Sequence, residues 1–302
     1  MEFYGMTGEK LGTIGQVEEK GAKGADLPRW KKAFLEKPSI SIRKGIAWGF
    51  SPPYEDTSTL VLTSPNAVFV DIRFPLQPDS SRPLTGNPAF WAFSGTSRTT
   101  FSPDTSEVSM PYSAHAVWAH EIDSKGSGIS DEGDMFLLPN DDCIEVGMMQ
   151  NPQTKQVELY KEYWSTPPAE PGSGDLRRSP CVVARTLELG VHRAARNGSG
   201  VVIRVGDYCQ GIVQQCEHDG SPRGVLVERW QKLPVQRNPA LSESQSRDAG
   251  DSHQPTEWLM DWRSNTPEGE ASIPSLWTCM DDRKLGDQIV IHGVTWSVVE
   301  VG

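Results

Sequence analysis

From Pro38 onward the chain alternates apolar and polar residues with a period of two, the spacing of half-buried strands. Ile40, Ile42, Ile46 and Trp48 fall two or four residues apart, which predicts one strand carrying them on a single face while Ser41 and Arg43 point the other way. Residues 59–63 are a β-branched run closed by Ser64-Pro65-Asn66; Val68, Val70, Ile72 and Phe74 then alternate with Asp71 and Arg73, the pattern of a hairpin. Further strands are expected at 90–94, 116–122, 134–138, 143–149 and 157–164, each bounded by Gly, Pro, Asn or Asp. Stacked Pro and Gly from Thr166 to Gly174 cannot continue a ladder and predict a linker. A second strand series follows at 181–191, 201–214, 225–233, 258–263 and 288–301, interrupted by the polar stretch 238–254, which reads as a disordered loop. Helical periodicity is scarce, with 273–281 the best short candidate.

The length of 302 residues accommodates two cores. The expected organisation is an N-terminal arm over 1–38 with a short helix at 30–35, a first β unit over 39–165, a linker over 166–180 and a second β unit over 181–302. Short, regularly spaced strands in both units predict an all-β protein of two antiparallel barrels, closed to remove exposed edges and able to hold side chains or a ligand inside.

A formal charge of -11 repels phosphate backbones and excludes nucleic acid as a natural partner. No apolar run reaches the length of a membrane span, and the N-terminus lacks a secretory apolar segment, so a soluble cytoplasmic protein is expected. The five cysteines are scattered without a C-x-x-C pair and read as buried thiols. The six histidines show no ligand spacing, so neither a metal nor another cofactor is expected. His115 and His120 stand out because they flank a strand core; five residues apart, they point to opposite faces of a regular strand, so at most one lines an interior. No nucleophile elbow or phosphate loop is present, and the acidic turns near Asp131 and Asp141 lack the register of a calcium loop.

The positive signal is aromatic: ten tryptophans, most at strand positions. Large rings fill barrel cores, but a subset can line a cavity for a flat apolar ligand. Trp91, Phe93 and Trp118 are the candidate walls. Arg73, Tyr112 and His115 are candidate hydrogen-bond donors or acids, with Arg204, Tyr208 and Gln210 as further orienting groups.

Residues 90–96 (FWAFSGT) resemble the W-A-F-x-G-T strand and turn of the fungal Hri proteins, interactors of the casein kinase Hrr. Residues 157–164 (VELYKEYW) are similar to that family's aromatic strand, 184–187 and 203–215 to its A-R-x-I and G-x-W/Y-x-Q-G strands, and 286–300 to its closing strand. The resemblance runs over about 39 to 302. It implies a calycin-like, lipocalin-like pair of β-barrels. Relatives in fungal secondary metabolism imply a cofactor-free hetero-Diels–Alderase, a pericyclase joining a tropolone quinone methide to a humulene-type sesquiterpene on the way to a meroterpenoid. The alternative it implies is a non-catalytic adaptor whose partner is a kinase or a translocation component.

Overall fold

The structure, a computed structural model, describes residues 37–77, 84–101, 113–126, 128–138, 140, 142–167, 180–187, 197–217, 221–235, 255–264 and 273–302. The expected arm with its short helix, most of the linker, the polar stretch 238–254 and Tyr112 lie outside them.

Eight antiparallel strands close into a barrel: β1 Ser39–Trp48, β2 Thr57–Thr63, β3 Val68–Pro75, β4 Trp91–Phe101, β5 Ser113–Asp123, β6 Ser130–Leu137, β7 Cys143–Gln150 and β8 Val157–Ser165, with β1 pairing β8. A 3-10 turn, Leu84–Gly86, precedes β4. The remaining strands are β9 Cys181–Thr186, β10 Asn197–Val205, β11 Tyr208–Cys216, β12 Pro222–Pro234, β13 Thr256–Arg263, β14 Gln288–Ile291 and β15 Val294–Val301. They form one curled antiparallel sheet in the order β13-β12-β11-β10-β9-β15-β14. The all-β class stands, with one closed barrel beside a half-barrel whose edges among the described residues are β13 and β14.

The alternation within β3 decides how the two units meet. Every residue of the strand is buried, because each of its faces has a cover. Val70, Ile72 and Phe74, with Leu60 and Leu62 of β2, pack against Val183, Val201, Ile203, Ile212, Val225 and Val227 of the open sheet. Phe69, Asp71 and Arg73 point the other way, into the barrel lumen. Burying this apolar face at roughly 25 cal/mol per Å2 is the main force holding the units together. Two polar struts set its register. Gln210 Nε2 donates to the carbonyls of Leu60 (2.9 Å) and Val70 (3.1 Å), using β2 and β3 backbone groups that face the second unit. Arg229 donates to Gln210 Oε1, to Ser58 Oγ and O, and to the Ile72 carbonyl, with its guanidinium 4.9 Å from the Phe74 ring. Burial pushes this guanidinium down to about 10, with Asp261 and Asp71 opposing. Arg229→Lys keeps a charge but loses the planar fork; we expect a loss of about 1–3 kcal/mol in urea unfolding.

The far face of the sheet is covered by the segment after residue 272. Its single helix, α1 Ser275–Thr278, lies near Ile273 and Cys279, which pack on Val202, Cys209, Val213, Leu226 and Trp296. Gly211 makes room for this cover, since a Cβ there would lie 2.4 Å from Ile273 Cγ2. Arg204 holds the segment by donating to the Cys279 carbonyl (2.6 Å) and pairing with Asp281.

Candidate functional site

The barrel lumen is charged. Arg43 of β1 and Arg73 of β3 both donate to Glu162 Oε1 of β8, at 2.5 and 3.0 Å, while Arg73 also grips Asp71 and Arg43 grips Glu55. Burial alone would lower both guanidiniums. The carboxylates outweigh it, chiefly Glu162 for Arg43 and Asp71 for Arg73, and hold both above the ordinary arginine value. Three of the five N–H donors of Arg73 are spent on these carboxylates.

Beside this network lie carboxyls of the opposite character. Glu145 accepts from Tyr160 Oη (2.7 Å) and Trp164 Nε1 (3.1 Å). Burial, with Glu162 and Asp131 nearby, raises it well above the carboxylate range, which favours its neutral form. Burial likewise raises Asp131 from 3.8 to about 6, with Arg73 opposing and Glu162 adding to the rise. The ring of Tyr160 fits because β6 and β7 carry glycine opposite it: a Cβ at Gly147 would lie 2.6 Å from the ring, and one at Gly133 would press on Glu145 at 2.7 Å.

The folded chain keeps the Asp131 proton over a window where the unfolded chain has released it. Stability therefore falls as pH rises from about 4 to about 6 and stays lower above that. Asp131→Asn removes this penalty. Thermal unfolding at neutral pH should show a gain of about 3 kcal/mol, shrinking to nothing below about pH 4.

The other part of the lumen is aromatic. Trp91 and Phe93 of β4 meet at 4.6 Å between centroids, Phe69 meets Phe93 edge-on at 5.9 Å, and Arg73 lies over Trp91 at 4.8 Å and Phe93 at 5.4 Å. Trp118, Val61, Ile129 and Met149 pack around this cluster, partly buried. Lys125, on the turn after β5, is exposed as a residue, yet its Nζ sits 3.9 Å from the Trp91 centroid. Desolvation of the ammonium against the ring, with the Arg73 charge adding to it, pulls it down to about 8.

A bulge in β5 completes the arrangement. Gly95 pairs with His120 and Ser94 with Ile122, so Glu121 is the extra residue. In a regular strand, residues three apart face opposite sides. The bulge turns Ile122 outward onto the inter-unit core and brings Asp123 back to the lumen beside His120. His120 Nδ1 lies 2.6 Å from Asp123 Oδ2, and both side chains are 1% exposed. Asp123 Oδ1 accepts from Trp91 Nε1 (3.0 Å) and the Lys125 backbone N–H (2.7 Å). The imidazole stacks on Phe93, centroids 4.1 Å apart and planes 20° from parallel. Its Nε2 is buried with no hydrogen-bond partner.

Arg73, Trp91 and Phe93 thus meet in the lumen, with Trp118 half-buried beside them. His115 lies on the outer face, its imidazole 44% exposed and 3.0 Å from Asp134. Arg204, Tyr208 and Gln210 sit in the second sheet, where Arg204 holds the C-terminal segment, Gln210 struts the two units and the Tyr208 hydroxyl accepts from Gln231 (3.3 Å). Of the two histidines that alternation put on opposite faces, His120 is the one that lines the lumen, and Asp123 and Asp131 are the side chains that strand alternation missed. The local signal is Gly95 opposite H-E-I-D, a small residue facing the extra one. Among the described residues no group of three or more His, Cys, Asp or Glu side chains is placed to hold a metal ion, and no helix is long and apolar enough to cross a membrane.

A closed antiparallel barrel with an ion-paired lumen, docked through β2 and β3 on a curled sheet, defines a two-unit β protein with a calycin-like barrel. The family model described as Protein HRI1 matches residues 39–300, and the chain belongs to the HRI1 family. The crystal structure of uncharacterized protein YLR301w from Saccharomyces cerevisiae resembles it with a TM-score of 0.59 at 16% identity, over 88% of this chain and 100% of that one, a likeness of fold. No curated protein matches the chain.

Proposed function

We propose that the protein binds a flat, apolar small molecule against the lumen wall of Trp91, Phe93 and Trp118. There it acts as a cofactor-free hetero-Diels–Alderase, joining a tropolone-derived quinone methide to a humulene-type sesquiterpene. The observation that carries this reading is the wall itself: two aromatic rings in contact inside a closed barrel, tilted 41° to each other, with a guanidinium over both. Such a wall holds diene and dienophile in near-attack geometry, which removes part of the entropic barrier. Arg73 lies where a hydrogen bond to the heterodiene oxygen would stabilise developing charge. Asp131, protonated near pH 6, supplies an acid for expelling water from a hydroxylated precursor.

The test is incubation with a quinone-methide precursor and humulene. A faster reaction with a single stereochemical outcome, lost in Trp91→Ala, is expected. The uncatalysed rate and product mixture would refute it. A second reading, a non-catalytic adaptor for a protein partner, is favoured by an exposed apolar patch on the barrel exterior: Phe50 is fully exposed, and Met148 and Leu159 face each other across β7 and β8 beside exposed Val157. On that reading Phe50→Asp abolishes partner capture and leaves small-molecule chemistry untouched.

A further inference from the structure

We infer that His120 and Asp123 form a proton-accepting dyad whose ligand is a planar aromatic molecule bearing a weakly acidic O–H. The inference rests on the lumen wall being a binding surface and adds to it the chemistry of the group presented there.

Three features of the dyad point to a ligand. The first is the unpaired Nε2 in a side chain that is 1% exposed. Buried polar atoms are almost always paired, and an orphaned N–H is rarer and more costly than an orphaned lone pair. The least costly state is therefore the neutral ring with its proton on Nδ1, donated to Asp123, and a bare acceptor at Nε2. A histidine oriented by a carboxylate through one nitrogen and unpaired at the other is the arrangement of a general base. The second feature is the bulge at Glu121, which alone puts His120 and Asp123 on one side of β5. The third is the surround. Phe93 stacks parallel to the imidazole, and the Trp91 ring lies 6.1 Å from it, so a flat molecule meets flat walls. Arg73 and Lys125 both lie over Trp91, so negative charge formed beside the wall meets two cations.

The step is a proton transfer. The ligand O–H bond breaks, its electron pair stays on oxygen, and the proton goes to His120 Nε2. The imidazolium is held by the Asp123 carboxylate through Nδ1–H, and the new oxyanion faces Arg73 and Lys125. Asp123 is a positioning residue here, acting through His120.

The test compares two probes on the full chain. 4-Nitrophenol carries the O–H, and its ionised form has its own absorption band; 4-nitroanisole has the same ring without the proton. Calorimetric titration should show 4-nitrophenol binding about tenfold tighter, the increment of one charge-assisted hydrogen bond. The bound probe should show the phenolate band at a pH where the free probe is neutral. His120→Gln should bind both probes equally, without the band. Asp123→Asn, which turns the other nitrogen toward the ligand as an N–H, should bind 4-nitrophenol and leave it neutral. Both probes binding wild type equally, or a bound phenol that stays neutral, overturns the dyad and leaves the wall in place. Neither probe binding overturns the wall and the dyad together. The wild-type comparison stands alone if a variant fails to fold.

Discussion

Glu162→Gln is expected to destabilise the protein by about 3–5 kcal/mol, read as a large fall in the urea midpoint. One oxygen of this carboxylate accepts from Arg43 and Arg73 together, and its side chain is 1% exposed. The glutamine keeps the volume and one acceptor but removes the charge, leaving two buried guanidiniums to share Asp71 and Glu55. An uncompensated buried charge is far costlier than a missing hydrogen bond. The same substitution one strand away gives the opposite result. Burial pushes Glu145 toward its neutral form, and a glutamine oxygen there can accept from Trp164 Nε1 while its amide donates to Tyr160 Oη, whose own hydroxyl turns to the Glu132 carbonyl at 3.2 Å. Glu145→Gln should change stability by less than about 1 kcal/mol. Equal costs at the two positions would contradict the division of the lumen into paired and neutral carboxyls.

Gly95→Ala should be worse still, costing about 4 kcal/mol or more. A Cβ at Gly95 would lie 1.8 Å from the Ala119 carbonyl oxygen and 3.1 Å from the Glu121 nitrogen, both backbone atoms that cannot swing aside. Relief requires β5 to straighten. Straightening would return Asp123 to the outer face and Ile122 to the lumen, exchanging a buried carboxylate and a buried aliphatic chain. The variant should unfold early on heating and, if it folds, lose the His120–Asp123 pairing. Wild-type thermal stability would show that the bulge is not fixed by this glycine.

These two positions also show where sequence reading stops. Alternation through β3 foretells that Arg73 opposes Val70 and Ile72, and that Trp91 and Phe93 share a face, because a period of two survives wherever pairing is regular. It fails at each bulge. Ile40 and Ile42 look toward the second sheet while Ile46 and Trp48 join Tyr160, because Lys44 is an extra residue between Arg43 and Gly45. The bulge at Glu121 likewise conceals Asp123 as the partner of His120. Two turns were hidden in apolar runs: 201–214 and 288–301 read as single strands, but Gly206-Asp207 and His292-Gly293 fold each into a hairpin through positive φ angles at Gly206, His292 and Gly293. Gln210 resembled a ligand-orienting group because nothing local marks a side chain that bonds backbone 140 or more residues away.

The central claim, that the closed barrel presents an oriented base to a ligand at its aromatic wall, is tested most directly by the nitrogen chemical shifts of the His120 imidazole. Nδ1 should be protonated and Nε2 bare in the free protein, with Nε2 moving to the protonated position when 4-nitrophenol is added. A protonated Nε2 in the free protein, or an Nε2 unmoved by bound 4-nitrophenol, would contradict it.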